Sequence, residues 1–303
     1  MLRLTFLGTS AAQPTAARNL SGLAVRRAGE LLLFDCGEGT QRQMIRFGTG
    51  FDVTAMFFTH FHADHYVGAI GFLRTLSMLG REAPLHLYGP RPAKRLLELM
   101  LFAGTDALAF PVEIHEIEAG AVVRVSGAEV RAYPTVHRVP SLGYALVEDP
   151  RPGRFHPERA AALGVPAGPL FRELQHGRPV VVGGRVVQPG EVVEAPRRGR
   201  ALVVTGDTRP APATVEAARE ADVLVHDSTF SDAEQARAAE TFHSTAREAG
   251  RIAREAGVRE LVLTHLSTRY DQDPSPLLRE AREEQPAVRV AQDGLVIEIP
   301  VPA

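Results

Sequence analysis

Four residues able to ligate a metal fall within six positions, in the run Phe57-Phe58-Thr59-His60-Phe61-His62-Ala63-Asp64-His65-Tyr66. His60 and His62 are two apart, so in an extended segment their side chains project to one side. Asp64 and His65 follow where the chain turns toward a helix, so they aim elsewhere. One ion cannot easily take all four, and the spacing suggests two adjacent ions with a pair of ligands each. Imidazole and carboxylate together suit zinc, with manganese or iron as chemically acceptable substitutes.

A short apolar run followed by a ligand type recurs along the chain. Ala132-Tyr133-Pro134-Thr135-Val136 leads to His137, Leu202-Val203-Val204-Thr205-Gly206 to Asp207, and Leu261-Val262-Leu263-Thr264 to His265. Val223-Leu224-Val225 leads to His226 and Asp227. Ligands at the ends of strands can converge on one rim of a sheet assembly, and strand ends hold a site more firmly than loops do.

The elements needed for this are legible as alternating patterns. Residues 2–7, 30–34, 55–58, 85–88, 130–133, 201–204, 223–225 and 261–263 read as strands, and 72–79, 93–102, 212–221 and 244–256 as helices. This mixture predicts an α/β fold with a covered sheet. Charged residues make up 23% of the 303 residues and the net charge is −2, so the surface as a whole is no polyanion binder. A single cysteine, Cys36, excludes an internal disulfide framework, and residues 1–8 lack the apolar core of a signal peptide. A cytoplasmic protein with no membrane span is expected.

Residues 151–200 break the rhythm. This stretch is rich in Pro, Gly and Arg, and its nine arginines against four glutamates give a local charge of +5. Phe155 and Phe171 lie among the arginines, an arrangement that suits an RNA-contacting surface. Lys94 is the only lysine of the chain, so phosphate contacts would be made by guanidinium groups.

The His-x-His-x-Asp-His motif with separated His, Asp and His resembles the metallo-β-lactamase superfamily. The finer motifs are similar to those of its ribonuclease Z family, the tRNA 3′-processing endonucleases. They are Asp35-Cys36-Gly37-Glu38-Gly39-Thr40-Gln41, Pro14-Thr15-Ala16-Ala17-Arg18-Asn19-Leu20-Ser21, Ser141-Leu142-Gly143-Tyr144 and Thr264-His265-Leu266-Ser267-Thr268-Arg269-Tyr270. The second of these usually carries a lysine where this chain has alanine. The match runs over nearly the whole chain. The metal motif alone is specific to the superfamily; the combination is specific to the family.

The resemblance implies an αββα sandwich formed by residues 1–303, with 151–200 as an inserted substrate arm. It also implies two zinc ions per subunit: His60, His62 and His137 on one, Asp64, His65 and His265 on the other, and Asp207 bridging them. Two Zn²⁺ outweigh the negative charge of Asp64, Asp207 and one hydroxide, so the site stays positive and suits an anionic phosphodiester. Asp64 is then the proton acceptor for the attacking water. His243, in Thr241-Phe242-His243-Ser244-Thr245-Ala246, resembles the family's proton donor to the leaving 3′ oxygen. Asp227 stands where the family usually carries glutamate and would orient His243. Arg269 is expected as a bidentate phosphate clamp.

Within the insertion, Gly164, Pro166, Gly168 and Pro169 resemble the Gly-Pro motif of the arm that holds the tRNA elbow. The family also implies a homodimer. Of the remaining histidines, His86 and His115 fall in strand-like runs and read as structural. His156 and His176 read as solvated residues of the insertion, and His226 is equally compatible with a supporting or a plain core role.

The expected activity is removal of 3′ trailers from precursor tRNA, leaving a tRNA 3′-hydroxyl and a trailer 5′-phosphate. A broader phosphodiesterase or another metallo-hydrolase of the same superfamily is the enzymatic alternative. An RNA-binding protein with a closed, structural metal site is the non-enzymatic one. The full ligand set and the basic arm favour the nuclease.

Overall fold

Strands buried on both faces read as nearly continuous apolar runs. In the computed structural model, which describes residues 1–102 and 107–301, such strands form the centre of two seven-stranded sheets. The strands are β1 (Leu2–Gly8), β2 (Gly22–Arg27), β3 (Glu30–Phe34), β4 (Val53–Phe57), β5 (Leu85–Gly89), β6 (Val112–Glu116), β7 (Val122–Val125), β8 (Ala128–Pro134), β9 (Leu142–Glu148), β10 (Val180–Val182), β11 (Arg185–Val187), β12 (Ala201–Val204), β13 (Val223–Asp227), β14 (Glu260–Thr264), β15 (Val288–Val290) and β16 (Val296–Ile299). The first sheet runs β16-β1-β2-β3-β4-β5-β6 and the second β15-β14-β13-β12-β9-β8-β7.

The sheets pack face to face. Their shared core joins Leu4, Phe6, Phe34 and Phe57 of the first to Val130, Tyr144, Leu202 and Val225 of the second. Phe57 lies between Phe34, stacked at 5.3 Å, and the edge of Tyr144 at 5.4 Å. Helices Thr40–Phe47, Ala69–Met78 and Ala93–Leu101 cover the outer face of the first sheet through Met44, Phe72, Leu76 and Leu97. Helices Pro212–Ala217, Ala246–Ala256 and Ser275–Glu284 cover the second through Ala249, Ile252, Ala253 and Leu277. The layers are therefore αββα, as the resemblance implied. No helix among the described residues is long and apolar enough to cross a membrane.

β3, β4, β5 and β6 are mutually parallel, as are β12, β13, β14 and β15. Their carboxyl ends open onto one rim, the place where sheets of this kind hold ligands.

Residues 148–199 form a separate compact unit. It contains helices Pro157–Ala162 and Pro169–Gln175, the β10–β11 hairpin and a core of Ala160, Val165, Leu174, Val180, Val187 and Val192. Phe155 and Phe171, both half-buried, pack on each other at 4.8 Å against that core. Gly164 and Gly168 take φ of 78° and 139° around the buried Val165, and Pro169 opens the second helix. Glu158 and Glu194 pair with His156, Glu173 with Arg178, and Glu191 with Arg185.

Candidate metal centre

His60 and His62 follow β4 in an extended segment, and His62 precedes the short helix Ala63–Tyr66 that carries Asp64 and His65. Close backbone contact fixes this helix. A Cβ on Gly37 would lie 2.3 Å from the Asp64 carbonyl, and one on Gly68 1.9 Å from that of Gly37. Asp207 follows β12 through Gly206, whose φ of 62° and proximity to Thr59, 2.5 Å from a notional Cβ, admit no side chain. His265 leaves β14 with φ 58°, an uncommon conformation for a histidine, of the kind that persists only where surroundings over-determine it.

The donors gather around Asp207. Its Oδ2 lies 3.5 Å from His60 Nε2 and 3.8 Å from His137 Nε2, and His62 Nδ1 is 3.1 and 3.2 Å from those two nitrogens. Its other oxygen, Oδ1, lies 3.3 Å from both His65 Nε2 and His265 Nε2. Asp64 Oδ2 closes the second group at 3.5 and 3.4 Å from the same nitrogens. Zinc bonds of about 2.0–2.1 Å in a tetrahedron place donors roughly 3.3 Å apart, which is the spacing seen here. His65 Nε2 and Asp207 Oδ1 are buried without a hydrogen-bond partner, an arrangement that is costly in an empty interior and suited to a cation. All seven residues expected as ligands thus converge, in two trios on either side of one carboxylate.

The far nitrogens of four imidazoles are held by neighbours. His65 Nδ1 donates to Asp35 Oδ2 at 2.8 Å, and His137 Nδ1 to the Phe242 carbonyl at 3.0 Å. His60 Nδ1 meets Thr59 Oγ1 at 3.1 Å and His265 Nδ1 meets Thr229 Oγ1 at 2.9 Å. The two hydroxyls donate onward to Asp35 and Asp227 at 2.8 and 2.7 Å, which makes them acceptors for the imidazoles. Each contact turns the Nε2 lone pair inward. Asp35, Thr59 and Thr229 carry no supporting-role signal of their own in the sequence, apart from the Asp35-Cys36-Gly37 motif for the first.

Burial lowers the pKa of His60, His62 and His137, which keeps them neutral and able to ligate. Burial also opposes charge on His65, but Asp207, Asp35 and Asp64 outweigh it and raise its pKa, so a bound cation takes the place of a proton there. Asp64 and Asp207 are held ionised despite burial by the surrounding histidines.

Asp35 yields a specific test. It accepts from Thr59 N, Thr59 Oγ1 and His65 Nδ1 while holding φ 58°. Asparagine tolerates that backbone but has a single acceptor oxygen. Asp35→Asn is expected to weaken metal binding by ~10–100-fold with the fold intact, measured by competition with a chromophoric chelator. Unchanged affinity would show that Asp35 does not hold His65 in its ligating orientation.

Beside the cluster, His243 Nδ1 donates to Asp227 Oδ2 at 2.9 Å. The shorter carboxylate is thus long enough for direct contact. Asp227 is fully buried and also accepts from Thr208 N, Thr229 N and Thr229 Oγ1. Burial disfavours the His243 imidazolium, but Asp227 prevails and pushes its pKa up to about 9. The ring stacks on His265 at 5.2 Å and lies 5.3 Å from His137. Phe242, with φ 62°, ends helix Gln235–Thr241 and turns the chain so that His137 and His243 meet. Thr245 then caps the next helix in a reciprocal box with Glu248, which also pairs with Arg209.

His226 is buried, with Nδ1 2.7 Å from the Asp227 carbonyl. The Arg269 guanidinium pairs with Glu234 at 3.3 Å and is 46% exposed.

This fold and donor set define a metallo-β-lactamase superfamily protein, a class of divalent-metal proteins. Residues 20–156 match the family model described as "Metallo-beta-lactamase superfamily", and 170–266 that of the "Beta-lactamase superfamily domain". Ribonuclease Z of Myxococcus xanthus is 64% identical over 303 residues, covering 99% of both chains. Ribonuclease Z of Methanosarcina acetivorans is 50% identical over 301 residues, again across 99% of both. Human tRNase Z, short form, superposes with a TM-score of 0.71 at 27% identity, covering 99% of this chain and 100% of its own. The chain belongs to the ribonuclease Z family, the tRNA 3′-processing endoribonucleases of that superfamily.

Proposed function

We propose that this protein is a cytoplasmic, homodimeric endoribonuclease that removes 3′ trailers from precursor tRNA using two zinc ions per subunit. The observation that carries this reading is the pair of donor trios on opposite oxygens of Asp207, with the His243–Asp227 pair at their edge. His60, His62 and His137 would hold one ion, Asp64, His65 and His265 the other, with Asp207 shared. When bound, the ions supply Lewis acidity toward the phosphodiester and the attacking water.

The side chains do the rest. Asp64 accepts the proton of the attacking water. His243, its Nδ1 committed to Asp227, donates from Nε2 to the departing 3′ oxygen, which leaves a tRNA 3′-hydroxyl and a trailer 5′-phosphate. Asp227 keeps that imidazole protonated and aimed. Residues 151–200, with Gly164, Pro166 and Gly168 between helices Pro157–Ala162 and Pro169–Gln175 and Pro169 opening the second, form the arm that grips tRNA. Its arginine excess supports this role, since its four glutamates are engaged locally. Large apolar side chains left in solvent on neighbouring helices support the dimer: Ile45, Met78, Leu79, Leu99 and Phe102.

The decisive assay offers the purified protein a trailer-bearing precursor tRNA and an unstructured RNA, each with and without chelator. Chelator-sensitive cleavage of the precursor at one position is expected. Equal rates on both RNAs would remove the tRNA assignment, and chelator-insensitive cleavage would remove the metal mechanism. Replacing residues 151–200 with a short linker is expected to lower kcat/KM on precursor tRNA by about 10²-fold or more, as loss of remote binding energy does, and to spare hydrolysis of a small phosphodiester. Equal losses on both substrates would refute the arm.

A further inference from the structure

A second group of metal-ligating side chains lies on the first sheet, outside the centre described above. His86 and Tyr88 of β5 share a strand face, since Leu85 and Leu87 point into the helix-covered core. The parallel register sets Glu113 of β6 beside His86 and His115 beside Tyr88. Three donors thereby converge. His86 Nδ1 lies 3.3 Å from Glu113 Oε2 and 3.3 Å from His115 Nε2, which is 3.8 Å from the same carboxylate oxygen.

These lengths discriminate between two kinds of contact. Where a histidine shares a proton with a carboxylate in this protein, the atoms are 2.8–2.9 Å apart, as in His65–Asp35, His156–Glu194 and His243–Asp227. Where donors face a common centre around Asp207, they stand 3.1–3.8 Å apart. The β5–β6 group has the second spacing. It also matches the roughly 3.3 Å edge of a zinc tetrahedron.

The site is partly built. Tyr88 stacks on His115 at 4.6 Å and on buried Phe57 at 5.0 Å, so one imidazole is anchored to the core. The three side chains are 37–50% exposed, which leaves the remaining coordination positions to water. Two nitrogens and one oxygen favour zinc-class transition ions over magnesium or calcium.

We propose that His86, Glu113 and His115 form a separate, open site for one zinc-class divalent ion, which clips the strand β6 to its neighbour β5. The test is a count of bound zinc. The full-length metallated protein is dialysed against rising free Zn²⁺, alongside the His86→Ala/His115→Ala double variant and a Glu113→Gln variant. The wild type is expected to take up one more ion per chain than the double variant, and Glu113→Gln to bind that ion at least 10-fold more weakly. Precursor cleavage at low free zinc is expected to be equal in all three, and Mg²⁺ at the same concentrations to add no binding. Because the result is a difference between chains, it does not depend on how many ions the Asp207 centre holds. Equal zinc content in wild type and double variant overturns the proposal. If the double variant fails to fold, His115→Gln, which keeps side-chain bulk on the β6 backbone, replaces it with the same two outcomes.

Discussion

Asp207→Ala is expected to lower kcat/KM on precursor tRNA by about 10³-fold or more and to release most of the bound metal. The magnitude follows from position. Removing a partner that only orients a ligand costs roughly 10–100-fold. Asp207 presents one oxygen to His60 and His137 and the other to His65 and His265, so its loss opens both ion positions at once. It also leaves the buried imidazoles without their shared counter-charge, a second penalty of the kind seen when one member of a buried charged set is deleted. Asp207→Asn separates the two effects, since it keeps the shape and loses the charge. Metal content by mass spectrometry, measured beside initial rates, is the check. A variant that keeps both ions while losing activity would mean that Asp207 acts on the substrate and not through the metals.

His243→Ala is expected to reduce kcat on precursor tRNA by ~10²–10⁴-fold, the usual worth of a positioned general acid, with metal content unchanged. A ribose 3′ oxygen is a poor leaving group and needs a proton as its bond breaks; a nitrophenolate does not. Hydrolysis of bis(p-nitrophenyl) phosphate should therefore fall far less than precursor cleavage. Asp227→Asn should weaken the reaction in the same direction, and the double variant should be little worse than His243→Ala, because the two groups act as one unit. The 2.9 Å contact and the complete burial of Asp227 make that coupling strong. Equal losses on the two substrates would remove His243 from the proton transfer and leave it a structural neighbour of the metal cluster.

The seven candidate ligands are legible in the sequence because metal chemistry restricts residue types and strands end abruptly. His60, His62, Asp64 and His65 stand together after an apolar run, and His137, Asp207 and His265 each follow another. The groups behind them were not legible. Asp35, Thr59 and Thr229 are common residues whose role comes from partners 24 to 36 positions away. The Asp227–His243 contact is expected from the resemblance alone, because it depends on where β13 and helix Gln235–Thr241 end in space, which no local pattern encodes. Several elements were missed for a related reason. β7 is only four residues long and half exposed, and helix Thr40–Phe47 has few apolar residues. In residues 151–200 a small core sits beneath Pro, Gly and Arg, so the composition conceals the helices and the hairpin.

The strand order has a consequence for biosynthesis. β1 pairs with β16, Leu2 opposite Ile299, so the first strand made waits for the last to flank it. The donors are likewise divided along the chain: His60, His62, Asp64 and His65 emerge early, Asp207 and His265 in the final third. A nascent or prematurely terminated chain therefore carries half a centre and an open sheet edge. A chain stopped before His265 is therefore expected to lack one donor of the second trio, and with it the activity.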